Sequence, residues 1–76
     1  MERLVRIVVR FRGGGVFSFD SREGREAEDL QRYLAMFPGK EVERIEEQVY
    51  DPSHPRRFRY LVREDLMGVI HGAGKD

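Results

Sequence analysis

Three consecutive glycines, Gly13, Gly14 and Gly15, separate two runs in which apolar and polar residues alternate. Ahead of them Val5, Ile7, Val9 and Phe11 share one parity, and Leu4, Arg6, Val8, Arg10 and Arg12 share the other. Behind them Val16-Phe17-Ser18-Phe19-Asp20 resumes the pattern with Phe17 and Phe19 together. Successive strand side chains point to opposite faces, so a period of two reads as a β-strand with one apolar face. Glycine adopts positive φ at little steric cost, as a tight reversal requires. The stretch predicts a β-hairpin whose apolar face is the core face and whose arginines point the other way.

A helix is expected next. Ser21 is the candidate N-cap, although Gly24 stands where a capping box would have Glu. Acidic residues gather from Glu23 onward, where they complement the helix dipole. Ala27, Leu30, Tyr33 or Leu34, and Phe37 then recur at spacings of three to four and form one apolar stripe, before Pro38-Gly39 ends the element.

The segment 41–50, EVERIEEQVY, supports two readings. Val42, Ile45 and Val49 recur at helical spacing, and the Glu and Gln content suits a helix. A strand carrying a bulge that shifts its alternation also fits, and is preferred because it gives the following strand an adjacent partner. Beyond the turn DPSHP, Phe58, Tyr60 and Val62 alternate with Arg57, Arg59, Leu61 and Arg63. Glu46 and Glu47 would then be cross-strand partners for Arg57 and Arg59. Residues 64–71 read as a short helix, and 73–76 as a frayed tail after a single domain spanning 1–72. The expected fold class is α+β, in the order ββαββ with a short C-terminal helix. An antiparallel sheet packs on one main helix as a two-layer sandwich.

A chain of 76 residues holds one core, and domains of this size bury too little surface to be very stable. A homodimer covering a sheet face or edge would add burial. With no cysteine, disulfides, thiolate catalysis and cysteine-based zinc sites are excluded. No apolar run reaches the roughly 20 residues needed to cross a bilayer, and the arginine-studded N-terminus does not read as a signal peptide. A cytoplasmic protein is expected, in a prokaryote or in the host cytoplasm of a virus.

The catalytic motifs fail one by one. RGGGVFSF matches an RNA-recognition signature at Arg12, Gly13, Gly15 and Phe19, but Gly14 and Val16 stand where the base-stacking aromatics belong. The glycines run from strand to strand, whereas nucleotide phosphate loops run into a helix N-terminus. GAGKD lacks the first glycine and the hydroxyl residue of a Walker loop. His54, three residues after Asp51, and the distant His71 make no metal-ligand spacing, and Asp51 reads as a turn-bonding residue. No enzymatic activity, cofactor or metal is expected.

Charge segregation is the remaining signal. The net charge is zero, but residues 1–12 carry +3, residues 20–51 carry −5 and residues 52–63 carry +4. If the first and last strands are neighbours, Arg6, Arg10, Arg12, Arg57, Arg59 and Arg63 would form an arginine plate on the open face, interleaved with Leu4, Val8, Val16 and Leu61. Such a plate fits a protein partner, where arginine and exposed aliphatics are favoured. The expected function is a small non-catalytic binding module, a viral or prokaryotic regulator or inhibitor of a larger protein machine, working as a monomer or a homodimer. The alternative is a nucleic-acid or nucleotide binder using the same face and the Gly13–Gly15 loop. A third possibility is neutralisation of the arginines within the sheet by Glu43, Glu46 and Glu47.

Overall fold

The computed structural model describes residues 3–73. It is an α+β domain with the element order β1 (Leu4–Phe11), β2 (Val16–Arg22), α1 (Glu26–Leu34), β3 (Val42–Tyr50), β4 (Phe58–Val62) and α2 (Glu64–Ala73). The strands form one four-stranded sheet in the order β2-β1-β3-β4, and every neighbouring pair is antiparallel. Both helices pack against the same face. The tail expected at 73–76 lies outside the described residues beyond Ala73, which α2 includes.

The hairpin predicted around the glycines is present. Leu4 to Arg10 pair in unbroken register with Arg22 to Val16. Gly13, Gly14 and Gly15 all have positive φ (86°, 107° and 97°), a backbone that a residue with a Cβ rarely adopts. The loop is closed by the Phe11 amide donating to the Gly15 carbonyl and the Gly14 amide donating to the Phe11 carbonyl. Val5, Ile7, Val9, Phe11 and Phe19 are buried, and Phe17 packs against them. Leu30 of α1, Ile45 of β3 and Leu66 of α2 complete the core. Near the glycine end it becomes aromatic, with Phe17 lying 5.3 Å from Tyr33 and 4.9 Å from Phe37 between ring centroids.

Helix α1 starts later than its sequence suggests. Ser21 is not its N-cap: it is still in β2, with its hydroxyl buried and donating to the Asp29 carboxylate at 2.6 Å. The cap position is Arg25, which makes no side-chain cap bond. Glu26 instead accepts the Gly24 amide at 2.8 Å, satisfying a donor just ahead of the first turn. The helix ends at Leu34, and single turns carry the chain on to Phe37, whose ring still reaches the core.

Segment 42–50 is a strand with the expected bulge. Arg10 pairs with Arg44, whereas the next residue, Phe11, pairs with Val42, leaving Glu43 as the extra residue. The bulge accounts for the helix-like spacing: Val42 and Ile45 are three apart yet both lie on the core side, because one residue between them is out of step. From Ile45 onward the alternation is regular, with Glu46, Gln48 and Tyr50 on the open face.

Leu66 is 2% exposed and is the buried residue of α2 in the core, with Met67 and Ile70 packed beside it. Leu66→Ala removes that contact and leaves a cavity, so equilibrium urea unfolding should register a loss of about 2–5 kcal/mol with the m-value unchanged.

Candidate functional site

The sheet has one uncovered face, and its composition is not the one expected. On β1 and β2 it presents Leu4, Arg6, Val8, Arg10, Val16, Ser18, Asp20 and Arg22. On β3 and β4 it presents Arg44, Glu46, Gln48, Tyr50, Phe58, Tyr60 and Val62. Of the six arginines expected to share it, only Arg6 and Arg10 project from strands on this face. Arg12 follows β1, and Arg57 precedes β4 in the turn, held at a φ of 67°. Arg59 and Leu61 pair with Val49 and Glu47 and so lie on the helix side, and Arg63 follows β4 on that side as well.

The first and last strands are not neighbours, since β3 lies between them, and the face on which the β4 side chains fall has a physical cause. A one-residue change of phase inverts every side chain in a strand. The Glu43 bulge sets the phase of β3, and the Arg63 amide donating to the Ile45 carbonyl at 2.8 Å carries it into β4. Burial imposes no opposing preference, because all five β4 residues are exposed.

The ion pairs show where each expected arginine is satisfied. Arg6 donates from Nε and a terminal nitrogen to both oxygens of Asp20, at 2.9 and 3.2 Å. That fork, chiefly its hydrogen bonds, raises the Arg6 pKa and lowers that of Asp20. Arg10 donates to Glu46 at 2.6 Å, and Arg44 lies 3.3 Å from the other Glu46 oxygen. Glu46 is only 7% exposed although no helix covers this face. The Arg10 guanidinium also lies 5.7 Å from the centre of the Tyr60 ring, within cation–π range. Arg12 pairs with Glu41 at 3.2 Å, and Arg59 with Asp51 at 3.3 Å. The cross-strand partners are therefore Arg10 for Glu46 and Arg63 for Glu47, rather than Arg57 and Arg59.

Arg63 sits among three carboxylates. It donates to both oxygens of Asp65 at 3.0 and 2.9 Å and to Glu47 at 2.6 Å, and Glu26 lies 3.7 Å away. Its side chain is 20% exposed. The Asp65 hydrogen bonds are the largest cause of a raised Arg63 pKa, and Arg63 in turn holds Asp65 below the ordinary carboxylate value. This cluster joins β3 and the end of β4 to both helices.

The remaining candidates are also accounted for. The Gly14 amide donates within its own turn, so the loop has one fewer amide to offer an anion. Asp51 accepts from the Ser53 amide and hydroxyl, as expected of a turn residue, and these bonds lower its pKa. His54 Nδ1 accepts the Arg56 amide. Among the described residues no group of three or more His, Cys, Asp or Glu is placed to hold a metal ion. No helix among them is long and apolar enough to cross a membrane.

Alongside these charged and polar groups the open face displays large apolar side chains. Leu4, Val16, Tyr50, Phe58, Tyr60 and Val62 are all exposed, with Leu4 at 66% and Tyr50 at 61%, and the only other exposed large hydrophobics described are Met36 and Leu61. Tyr50 and Phe58 meet edge to face, with centroids 5.7 Å apart. At the same end a groove of about 510 Å³ runs between the start of β1 and the β3–β4 hairpin, lined by residues that include Leu4, Arg6, Val49 and Phe58. The sequence signal for this patch was the alternation in RFRYLVR, but it did not say which parity faces out. Compared with known protein families, curated proteins and solved structures, the chain has no significant match.

The acid limb of stability tests the Arg63 cluster. A carboxylate whose folded pKa is depressed contributes stability at pH values above its unfolded pKa, and loses it as pH falls through the folded value. Asp20, Asp51 and Asp65 are all depressed, so stability should decline below about pH 4, the unfolded aspartate range. Arg63→Met leaves the buried Glu26 and the largely buried Glu47 without their cation. It should cost about 2 kcal/mol at neutral pH, less than the roughly 3–5 kcal/mol of a fully buried pair because Asp65 stays solvated. Chemical denaturation from pH 2 to 7 should also show a shallower acid limb in this variant, since Asp65 no longer titrates low.

Proposed function

We propose that the protein is a non-catalytic binding module whose open sheet face docks onto a protein partner. One observation carries this reading: six of the exposed large hydrophobics described fall on that single face, among arginines already paired with carboxylates. Tyrosine, phenylalanine and arginine are the residues enriched at protein interfaces. Exposed large apolar side chains gathered on one sheet face with no helix to cover it mark an interaction surface. In this setting Arg6 and Arg10 offer fixed hydrogen-bonding edges around aromatic contacts rather than a field of positive charge. The reading keeps the expected role of a small regulator or inhibitor that works by occupying a partner's surface, in a cytoplasm of prokaryotic or virus-infected cells.

Nucleic-acid or nucleotide binding is the weaker alternative. Phosphate contacts require guanidiniums that exchange counterions. Here Arg6, Arg10, Arg12, Arg59 and Arg63 are engaged by carboxylates, and Arg59 and Arg63 lie on the other side of the sheet.

The test uses Leu4→Asp and Val16→Asp on the open face, with Met36→Asp on the helix side as the control. All three positions are highly exposed, so thermal midpoints should stay within a few degrees of the parent. Chemical cross-linking in an extract of the producing cells should give a set of partner adducts that the two open-face variants lose and Met36→Asp retains. Adducts unaffected by the open-face changes would refute the docking face. Oligonucleotide binding that is tight at low salt and collapses as salt rises would favour the alternative.

A further inference from the structure

We infer that β4 is a self-association edge, pairing antiparallel with β4 of a second copy about a two-fold axis through Tyr60. The phase of the β3–β4 ladder is fixed by two bonds. The Asp51 amide donates to the Arg57 carbonyl, and the Arg63 amide donates to the Ile45 carbonyl, each at 2.8 Å. Bonded pairs alternate along an antiparallel ladder, so Arg59 and Leu61 also exchange their bonds with β3. The amides and carbonyls of Phe58, Tyr60 and Val62 therefore point away from β3, along the outer edge of the sheet.

β4 blunts that edge only weakly: it is short and Arg59 puts one charge on its helix side, but it holds no proline, no lysine and no bulge. The other edge strand, β2, is more polar: the same phase argument aims Ser18, Asp20 and Arg22 outward between Val16 and the strand end. β4 is also the strand with no buried residue, so within one copy its side chains gain little from being ordered.

The edge is complementary to itself in one register. Centring the axis on Tyr60 sets Phe58 opposite Val62 of the second copy and Tyr60 opposite its counterpart, and these are the residues whose backbone groups are directed outward. On the helix side Arg59 then faces Leu61. Just beyond the strand Arg57 comes opposite Arg63, whose charge is already met within its own copy by Asp65, Glu47 and Glu26, while the net charge of zero adds no long-range repulsion. The product is a closed pair with a continuous eight-stranded sheet, in which the two open faces merge. A five-residue edge is a small interface, below about 1,200 Å², and corresponds to micromolar rather than nanomolar association. The inference does not depend on what the open face binds.

Analytical ultracentrifugation from about 1 μM to 1 mM should show a monomer–dimer equilibrium. Tyr60→Pro deletes an outward amide and no β3 bond, so it should shift the sample to monomer by at least tenfold in Kd while circular dichroism stays native. Leu4→Asp, away from the edge, should leave the mass distribution unchanged, which separates this inference from the docking face. Because the chain has no cysteine, Tyr60→Cys introduces a single thiol. Paired at a Cα separation near 5.5 Å, it should oxidise to a disulfide-linked dimer, and it provides a readout even if the proline variant does not fold. A parent that remains monomeric throughout the range, a dimer indifferent to a folded Tyr60→Pro, or a Tyr60→Cys variant that does not cross-link would each overturn the pairing.

Discussion

A single inserted residue governs how the two faces of this sheet are populated. Glu43 bulges out of β3 between Val42, opposite Phe11, and Arg44, opposite Arg10. Upstream of it β1 and β2 present phenylalanines and branched aliphatics to the helices. Downstream, the altered phase buries Ile45 and sends Glu46, Gln48 and Tyr50 to the open face. β4 inherits that phase, so its aromatics face outward, and Arg59 within it and Arg63 just after it lie on the helix side. Without the bulge, Val42 and Ile45 could not both lie on the core side of one strand.

The Arg63 cluster answers the problem this phase creates. A guanidinium on the helix side of a small domain is costly unless carboxylates meet it there. Glu47 from β3, Glu26 from α1 and Asp65 from α2 do so, and the result fastens the last strand to both helices where apolar contacts are few. Glu46 has the complementary position on the other face. It is shielded from water and held between Arg10 and Arg44, so opposite signs of charge stitch the sheet from both sides.

Most of the architecture was legible where burial imposes a period. Val5, Ile7, Val9 and Phe11 announce a half-buried strand, the glycine triplet announces its reversal, and Leu30 with its neighbours announces a covering helix. Ser21 misled because a serine before an acidic run looks like a cap, whereas here a strand continues through it and its hydroxyl is used by Asp29. The face of β4 was not legible for a similar reason. Phe58, Tyr60 and Val62 resemble core residues, and no local rule shows that the strand extends past the helices. Only the register, set at Glu43 and Ile45, decides it.

The sheet order also has a kinetic meaning. β1 lies between β2, its sequence neighbour, and β3, which begins about thirty residues after β1 ends. Each of the two hairpins, β1–β2 and β3–β4, closes a short loop and can form within microseconds. The β1–β3 seam instead closes a loop that contains a strand and a helix, at a larger entropic cost. The pairing of Val9 with Ile45 is thus the long-range contact of the sheet, of the kind whose separation along the chain slows folding across small domains.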